Sequence, residues 1–211
     1  MTDLIPAVVL AGGKGSRLGD GEKALTPILG KNLIDHVRKR LEDQVSAMAL
    51  SIRTLSPWAL ELGLPILEDL PNPNRGPLGG VAAALVWAAS QTPQPKWVLT
   101  VPVDTPFLPA DLCKKLTTAD QKTDVAVAAS GNRVHHTVAA WRPTLAEKLL
   151  DAICSDALSV RRFQEKIQTV EIPWTVIDMD PFMNINTPKD LEIAEHNYPK
   201  YGDKHQPGLK A

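Results

Sequence analysis

The segment at residues 10–23 constrains this chain more than any other part of its sequence. It follows the apolar run Ala-Val-Val-Leu at residues 7–10, which is typical of a buried strand, and it holds five glycines, two lysines and one arginine. A glycine backbone can approach a ligand closely, and consecutive N–H groups can converge on anionic oxygens. Arg17 and Lys23 add positive charge. The pattern predicts a phosphate-binding loop, and a solvated glycine-rich surface loop is the alternative.

Two common phosphate-binding motifs do not fit this loop. Gly15 and Gly19 are too close for a P-loop, and no Gly-Lys-Ser/Thr run follows them. A dinucleotide fingerprint needs a glycine where Leu18 stands. The observed Gly-Gly-x-Gly-Ser-Arg-Leu-Gly, followed by Glu-Lys-Ala-Leu, is instead similar to nucleotidyltransferases of the sugar-nucleotide pyrophosphorylase type. In that class the loop after the first strand wraps a nucleoside triphosphate.

Length and composition exclude several classes of protein. A chain of 211 residues with net charge −1 favours one globular domain and lacks a basic nucleic-acid-binding footprint. No apolar run approaches the roughly 18 residues of a membrane span, and no secretory signal is visible. We expect a monomer in the cytoplasm with free thiols at both cysteines. The expected organisation is one domain at residues 1–196 and a flexible tail at residues 197–211.

Apolar runs alternate with helical patterns along the chain. Strands are predicted near residues 7–10, 47–52, 64–67, 97–101, 125–129 and 137–141, with two short strands near Ile172 and Ile177. Helices are predicted near residues 33–41, 77–90, 109–116, 144–154 and 159–167, and after Pro188. Asn32 and Thr187 are predicted N-caps, and Thr144 with Glu147 predicts a capping box. The alternation predicts an α/β fold with a mostly parallel sheet, helices on both faces and ligands at the carboxyl ends of the strands.

Asp104 is the second strong candidate. It follows a predicted buried strand, and Pro102 and Pro106 stiffen the backbone on either side. A carboxylate fixed there, opposite a triphosphate, suits Mg²⁺, which binds one or two carboxylates together with phosphate oxygens. A turn acid that caps the helix near Pro109 is the structural alternative, and the glycine-rich loop favours metal binding.

Other segments carry chemistry only in combination. Asp69 could contact a base, a ribose or a metal, or be a solvated loop acid. The turn at residues 76–80 could hold a ligand edge or be purely structural. His135 and His136 point to opposite faces of a strand, so a joint metal site is excluded and His136 is the better candidate for the cleft. The remaining candidates are polar groups with ordinary structural alternatives: Arg161, Arg162, Asn184 and Asn186.

In order along the chain, these segments resemble the MobA-type molybdenum cofactor guanylyltransferases. The motifs that carry the resemblance span residues 7–195: Leu-Ala-Gly-Gly-x-x-x-Arg-Leu-Gly at residues 10–19, Glu-Lys-Ala-Leu at 22–25, Glu-Asp at 68–69, Gly-Pro-Leu-Gly-Gly at 76–80, Asp-Thr-Pro at 104–106, His-Thr at 136–137 and Asn-Ile-Asn-Thr-Pro at 184–188. The chain departs from the family at Glu22, where Asp is more common, and at Ser51, near which an Asn is common.

The resemblance implies a Rossmann-like, three-layer α/β/α fold of the nucleotide-diphospho-sugar transferase type. It also implies transfer of GMP from MgGTP to the terminal phosphate of molybdopterin, with release of pyrophosphate. The implied roles are as follows: catalysis by Arg17, Lys23 and Asp104; nucleotide binding by Leu10, Ala11, Gly12, Gly13, Lys23, Ser51, Asp69, Gly79 and Asp104; acceptor binding by His136, Arg161, Arg162, Asn184 and Asn186; and Mg²⁺ binding by Asp104.

Other functions use similar residues. A molybdopterin cytidylyltransferase or a sugar-phosphate nucleotidyltransferase would share the loop and Asp104. A non-catalytic nucleotide-binding adaptor that delivers a cofactor would not need Arg17, Lys23 and Asp104 together. The expected partners are GTP and molybdopterin as substrates, with transient contact to molybdenum-insertion proteins or apo-molybdoenzyme chaperones, and with neither nucleic acid nor membrane.

Overall fold

The computed structural model describes residues 4–13, 22–70, 76–155 and 159–201. Its strands are Ile5–Leu10 (β1), Pro27–Ile28 (β2), Lys31–Asn32 (β3), Val45–Ile52 (β4), Ile66–Glu68 (β5), Val98–Pro102 (β6), Val125–Ser130 (β7), Arg133–Trp141 (β8) and Thr169–Trp174 (β9). Its α-helices are Leu33–Leu41 (α1), Pro57–Glu61 (α2), Pro77–Ala89 (α3), Leu112–Leu116 (α4), Ala146–Cys154 (α5), Val160–Gln164 (α6) and Pro188–Tyr201 (α7). Single 3₁₀ turns lie at Lys23–Leu25 and Pro143–Leu145.

A seven-stranded sheet in the order β5-β4-β1-β6-β8-β7-β9 forms the centre of the molecule. The strands β5, β4, β1 and β6 are parallel to one another, and β9 is parallel to β7. β8 is antiparallel to β6 and β7, because a tight turn with Gly131 at φ 54° joins β7 directly to β8. The predicted, mostly parallel α/β sheet is therefore confirmed, and the carboxyl ends of four parallel strands meet at one edge.

Helices cover both faces of this sheet. Alternate residues of β1 point to opposite sides, so Val9 packs with α1 and α4 while Val8 packs with α3, α5 and α6. All six residues of β1 are buried as a result. The alanine-rich α3 carries little side-chain bulk, which lets its backbone lie close to β5 and β1. This close approach brings the start of α3 to the carboxyl edge of the sheet.

Local predictions have mixed outcomes. The capping box at Thr144 is wrong, because Thr144 lies inside a 3₁₀ turn and α5 begins only at Ala146, without a side-chain cap. The short strand near Ile177 is also wrong, since this residue lies in an exposed bend. The cap at Thr187 is confirmed: its hydroxyl accepts the N–H of Asp190 at 3.2 Å, and Asp190 accepts the N–H of Thr187 at 2.8 Å.

The last helix continues to Tyr201, five residues beyond the expected domain boundary at residue 196. Residues 202–211 of the expected tail lie outside the described part of the chain. Both cysteines are free thiols, and burial raises the pKa of Cys113 to about 12. None of the helices in the described segments is long and apolar enough to cross a membrane.

Candidate active site

A cavity of about 230 Å³ opens at the carboxyl edge of β1, β4, β5 and β6. Eight residues predicted from the sequence line it: Leu10, Gly12, Gly13, Lys23, Ser51, Asp69, Asp104 and Asn184. Seven others complete its wall: Arg53, Gly76, Pro77, Gly80, Pro102, Val103 and Thr137. The parallel topology explains this convergence, because each strand delivers its next residues to the same edge.

Asp69 forms one end of the cavity. It follows β5 and is 9% exposed, and its Oδ1 accepts a hydrogen bond from the Ser51 hydroxyl at 2.7 Å. Burial raises the pKa of Asp69 above 3.8, and the Ser51 hydrogen bond and the positive charge of Arg53 only partly oppose this effect. This end of the site therefore presents a desolvated carboxyl group to whatever enters it.

The start of α3 packs tightly against Asp69 and Ser51. A Cβ added to Gly80 would lie 2.7 Å from the Ser51 hydroxyl oxygen and 3.0 Å from Leu10 Cδ2. A Cβ added to Gly79 would lie 3.0 Å from the Leu70 carbonyl oxygen. Only glycine permits this approach, so these two residues bring α3 to the edge of the cavity. Gly80 lines the cavity, whereas Gly79 faces the chain after β5.

The opposite end of the cavity is charged. Asp104 Oδ2 accepts a hydrogen bond from Lys23 Nζ at 2.5 Å, and Oδ1 accepts one from Asn184 Nδ2 at 2.7 Å. The Ile185 N–H donates to the Asp104 carbonyl oxygen at 2.9 Å. The side chains of Lys23 and Asp104 are only 11% and 14% exposed, so their interaction is weakly screened by solvent. Residues 80 and 81 positions away from Asp104 in the chain therefore meet it at the end of β6.

Asn186 completes this charged end. Its Oδ1 accepts a second hydrogen bond from Lys23 Nζ, at 2.5 Å, although Asn186 does not itself line the cavity. Asp190, in the first turn of α7, accepts the Asn186 backbone N–H at 3.0 Å. Burial disfavours the ionised form of Asp190, but the hydrogen bonds from Asn186 and Thr187 outweigh it and lower the pKa of Asp190. The cap of α7 thus fixes the backbone of Asn186, whose side chain accepts the hydrogen bond from Lys23.

Several predicted residues do not lie at the cavity. His136 points away from it and hydrogen-bonds Gln164 at 2.6 Å, beside Arg161 on the α6 side of the sheet. Arg161 pairs with Glu165 at 2.9 Å, and Arg162 is exposed on α6. Ala11 is buried, and its N–H donates to the Ser51 carbonyl oxygen. Arg17 lies outside the described residues.

Arg53 and Thr137 line the cavity although the sequence did not single them out as site residues. Arg53 follows β4 directly, and its Nε is buried without a hydrogen-bond partner among the described residues. The signal available in the sequence was a cation two residues after the predicted Ser51, at the end of the same strand. Thr137 follows the predicted His136 in the same motif, and it lines the cavity while His136 bonds Gln164.

The charged end has the ligand set of a magnesium site that depends on its substrate. Across the described ranges, no group of three or more His, Cys, Asp or Glu side chains could hold a metal. Asp104 supplies one carboxylate, and Mg²⁺ is usually held by one or two carboxylates with substrate phosphates and waters. The residues fit Mg²⁺ delivered with a nucleotide and do not form an all-protein metal cage.

Comparisons with known proteins show the family to which the chain belongs. Residues 7–170 match the family described as the MobA-like NTP transferase domain. A molybdenum cofactor guanylyltransferase from Rhodopseudomonas palustris (strain BisB5) is 41% identical over 193 residues, covering 90% of this chain and 92% of the relative. One from Bradyrhizobium sp. (strain ORS 278) is 37% identical over 197 residues, covering 92% and 93%.

A solved structure shares the fold. It is the molybdopterin-guanine dinucleotide biosynthesis protein A from Archaeoglobus fulgidus, which superposes with a TM-score of 0.71 at 23% identity. The match covers 93% of this chain and 100% of that chain. The shared fold therefore extends over almost the whole of both molecules.

Proposed function

Because this chain belongs to the MobA-like NTP transferase family, we propose that it transfers GMP from GTP to the terminal phosphate of molybdopterin. The products are molybdopterin guanine dinucleotide and pyrophosphate. The observation that carries the proposal is the convergence of Lys23, Asp104 and Asn184 at one end of a cavity whose other end is lined by glycines, Ser51 and Asp69.

The proposed reaction is an in-line displacement at the α-phosphorus of GTP. An oxygen of the acceptor phosphate attacks the α-phosphorus. The bond between that phosphorus and the oxygen that bridges to the β-phosphate breaks, and pyrophosphate departs with the electron pair of this bond. A phosphate oxygen is already anionic near neutral pH, so the site needs no general base. The protein has to position the two substrates and neutralise charge on the leaving group.

Each end of the cavity has a separate task in this proposal. The guanine and ribose are held by the residues at the glycine-lined end: Leu10, Gly12, Gly13, Ser51 and Asp69. Because the glycines have no side chains, a planar base has room to lie close to the backbone there. Ala11 and Gly79 act through the backbone, by holding β1 to β4 and α3 to the strand ends. Lys23, together with Arg17 from the preceding loop, neutralises the triphosphate.

Asp104 is the proposed ligand of Mg²⁺. Asn186 accepts a hydrogen bond from Lys23 and so holds this lysine next to Asp104. When bound, the ion supplies positive charge that offsets the charge of the phosphate oxygens. Asn184 and Asn186 face the acceptor side. We propose that His136, Arg161 and Arg162 bind more distant parts of the acceptor. His136 and Arg161 line a separate cavity beside α6, and Arg162 is exposed on the same helix.

Thermal unfolding in the presence of Mg²⁺ and each of the four nucleoside triphosphates tests the nucleotide assignment. We expect GTP to stabilise the protein most, and omission of Mg²⁺ to reduce the effect. Selectivity for CTP would favour a cytidylyltransferase, and no response to any nucleotide would favour a cofactor-delivery adaptor. Incubation with GTP, Mg²⁺ and molybdopterin then tests transfer, with pyrophosphate release as the measurement. Transfer to a sugar phosphate but not to molybdopterin would refute the acceptor.

A further inference from the structure

A polar cluster of two buried residues and one partly exposed carboxylate lies next to the segment that carries Asn184. It consists of Ser130 at the end of β7, His135 on β8 and Asp180 in the segment after β9. Ser130 is 3% exposed and His135 is 6% exposed. The Ser130 hydroxyl lies 2.7 Å from His135 Nε2 and 2.7 Å from Asp180 Oδ1. None of these three residues lines the cavity, so direct contact with a nucleotide bound there does not account for them.

The hydrogen bonds in this cluster run in one direction. Ser130 has a single hydroxyl proton, which it donates to Asp180 Oδ1. His135 must then donate its Nε2 proton to the Ser130 oxygen. Burial lowers the pKa of His135 and thus favours the neutral ring, and the charge of Asp180 opposes this effect. The cluster thereby fixes His135 as the Nε2–H tautomer.

Asp180 also fixes the backbone of the segment that contacts Asp104. The same Oδ1 accepts the backbone N–H of Phe182 at 2.9 Å. Phe182 is fully buried, and its ring packs on His135 with a centroid distance of 4.8 Å and on Trp174 at 5.2 Å. Two residues later, Asn184 donates to Asp104. The segment at residues 180–186 is thus held at its start by the cluster and at its end by the cap of α7.

We propose that Ser130, His135 and Asp180 are positioning residues that set Asn184 and the Ile185 N–H against Asp104. Acting through the backbone of Phe182, they order the acceptor side of the site while leaving the nucleotide side to β1, β4 and β5. This inference rests on the proposed function only for its kinetic readout. The hydrogen bond from Ile185 to Asp104 is a separate readout that needs no substrate.

The substitutions Asp180→Ala and Asp180→Asn separate positioning from charge. Alanine removes the acceptor for both the Ser130 hydroxyl and the Phe182 N–H. Asparagine keeps an Oδ1 in the same place and loses only the charge, so it should rescue the alanine defect. Asp178→Ala is the matched control, because Asp178 lies two residues earlier in the chain and pairs with Lys200 at the surface.

Hydrogen exchange of the free protein is the first measurement. We expect the Ile185 amide to exchange about tenfold faster in Asp180→Ala, because its hydrogen bond opens more often. Asp180→Asn and Asp178→Ala should stay within about twofold of wild type. Unchanged exchange in Asp180→Ala, or equal acceleration in alanine and asparagine variants, overturns the proposal.

Kinetics of GMP transfer are the second measurement. In Asp180→Ala we expect kcat/KM for molybdopterin to fall about tenfold, as for other residues that orient a functional group through a neighbour. The dissociation constant of GTP should stay within about twofold. An equal loss of GTP affinity means a general structural defect and overturns the positioning role. Absence of transfer in wild type refutes the proposed function instead, while hydrogen exchange still decides this inference.

Discussion

The two ends of the cavity are built in different ways. The end at Asp69 is a packing arrangement, in which Gly80 lets α3 approach Ser51 and Asp69 is only 9% exposed. The end at Asp104 is a charge arrangement, in which Lys23 and Asn184 reach a strand end from distant parts of the chain. The Asp69 end depends on a glycine without a side chain, which lets the helix approach. The Asp104 end depends on functional groups held at hydrogen-bond distance.

This difference indicates a division of labour between recognition and chemistry. A tightly packed, desolvated end selects ligands by shape and by the hydrogen bonds they can offer, because an unpaired polar group there is costly. A charged end stabilises charge that moves during a reaction, whichever base is bound. Substitutions at the Asp104 end should therefore lower turnover with little loss of stability. Substitutions at the Asp69 end should change stability and nucleotide affinity together.

Asp104→Asn should have the largest effect and would test the charge end directly. The amide can still accept from Lys23, so the fold should survive, but the carboxylate charge is lost. We expect kcat to fall by about 10²–10³-fold, comparable to loss of a group that stabilises transition-state charge. Steady-state transfer kinetics with a thermal unfolding curve check this, with exposed Glu61→Gln as the control. Near-normal turnover would remove Asp104 from the chemistry.

Lys23→Ala should have the next largest effect. The substitution removes a charge-assisted hydrogen bond to phosphate and frees both Asp104 and Asn186. We expect the loss of GTP binding free energy and of transition-state stabilisation to total about 1.5–3 kcal/mol. Isothermal titration with GTP and transfer kinetics provide the two values, and the exposed Lys31→Ala is the matched control. If Lys31→Ala loses as much, the effect is one of net charge and not of this site.

Gly80→Ala breaks the packing end. The added Cβ lies 2.7 Å from the Ser51 hydroxyl oxygen, so α3 or β4 must shift. We expect the free energy of unfolding to fall by about 1–3 kcal/mol, although alanine is the better helix former. Chemical denaturation measures this. Gly13→Ala is the control for stability, since a Cβ there meets no atom of the described residues within 4 Å.

The same contact predicts coupling between Gly80 and Ser51. In the double variant Ser51→Ala with Gly80→Ala, the closest clashing atom is gone. The two substitutions should therefore cost less together than the sum of their separate effects, by about 0.5–3 kcal/mol. Strict additivity of the two unfolding free energies would show that the packing argument for this end is wrong.

Much of the packing end could be predicted from sequence, because its parts follow directly from strands. Leu10, Ser51 and Asp69 each lie at or just after the end of a parallel strand, and alternation of strands and helices predicts that such ends meet. Asp104 was predictable for the same reason. Family membership was also indicated by the order of the motifs, and the comparisons confirm it.

The remainder depended on features that have no pattern in the sequence. His136 was favoured for the cleft, but it hydrogen-bonds Gln164 on the α6 side of the sheet, and Thr137 lines the cavity instead. Arg53 was missed because an arginine after a strand is ordinary until one sees that its buried Nε has no hydrogen-bond partner among the described residues. Asn184 was a candidate with an ordinary structural alternative, and only the resemblance favoured a role in the site, since its contact with Asp104 spans 80 positions.

Asp69→Asn should have the smallest effect, and it tests whether the packing end carries a desolvated charge. The folded-state pKa of Asp69 is raised above 3.8 by burial, so the folded protein binds this proton more tightly than the unfolded chain. Wild-type stability should therefore fall as pH rises from 3.8 through the raised pKa. Asparagine is neutral at every pH and can still accept from Ser51 through its Oδ1.

We accordingly expect Asp69→Asn to be more stable than wild type at pH 7 and to bind GTP less tightly. The stability difference should shrink as pH falls, and should vanish below about 3.8, where the carboxyl group is protonated in both states. Urea denaturation across this pH range measures it, with exposed Asp43→Asn as the control. A gap that does not change with pH would mean that the ionised form of Asp69 is not penalised, and the contrast between the two ends would lose its electrostatic basis.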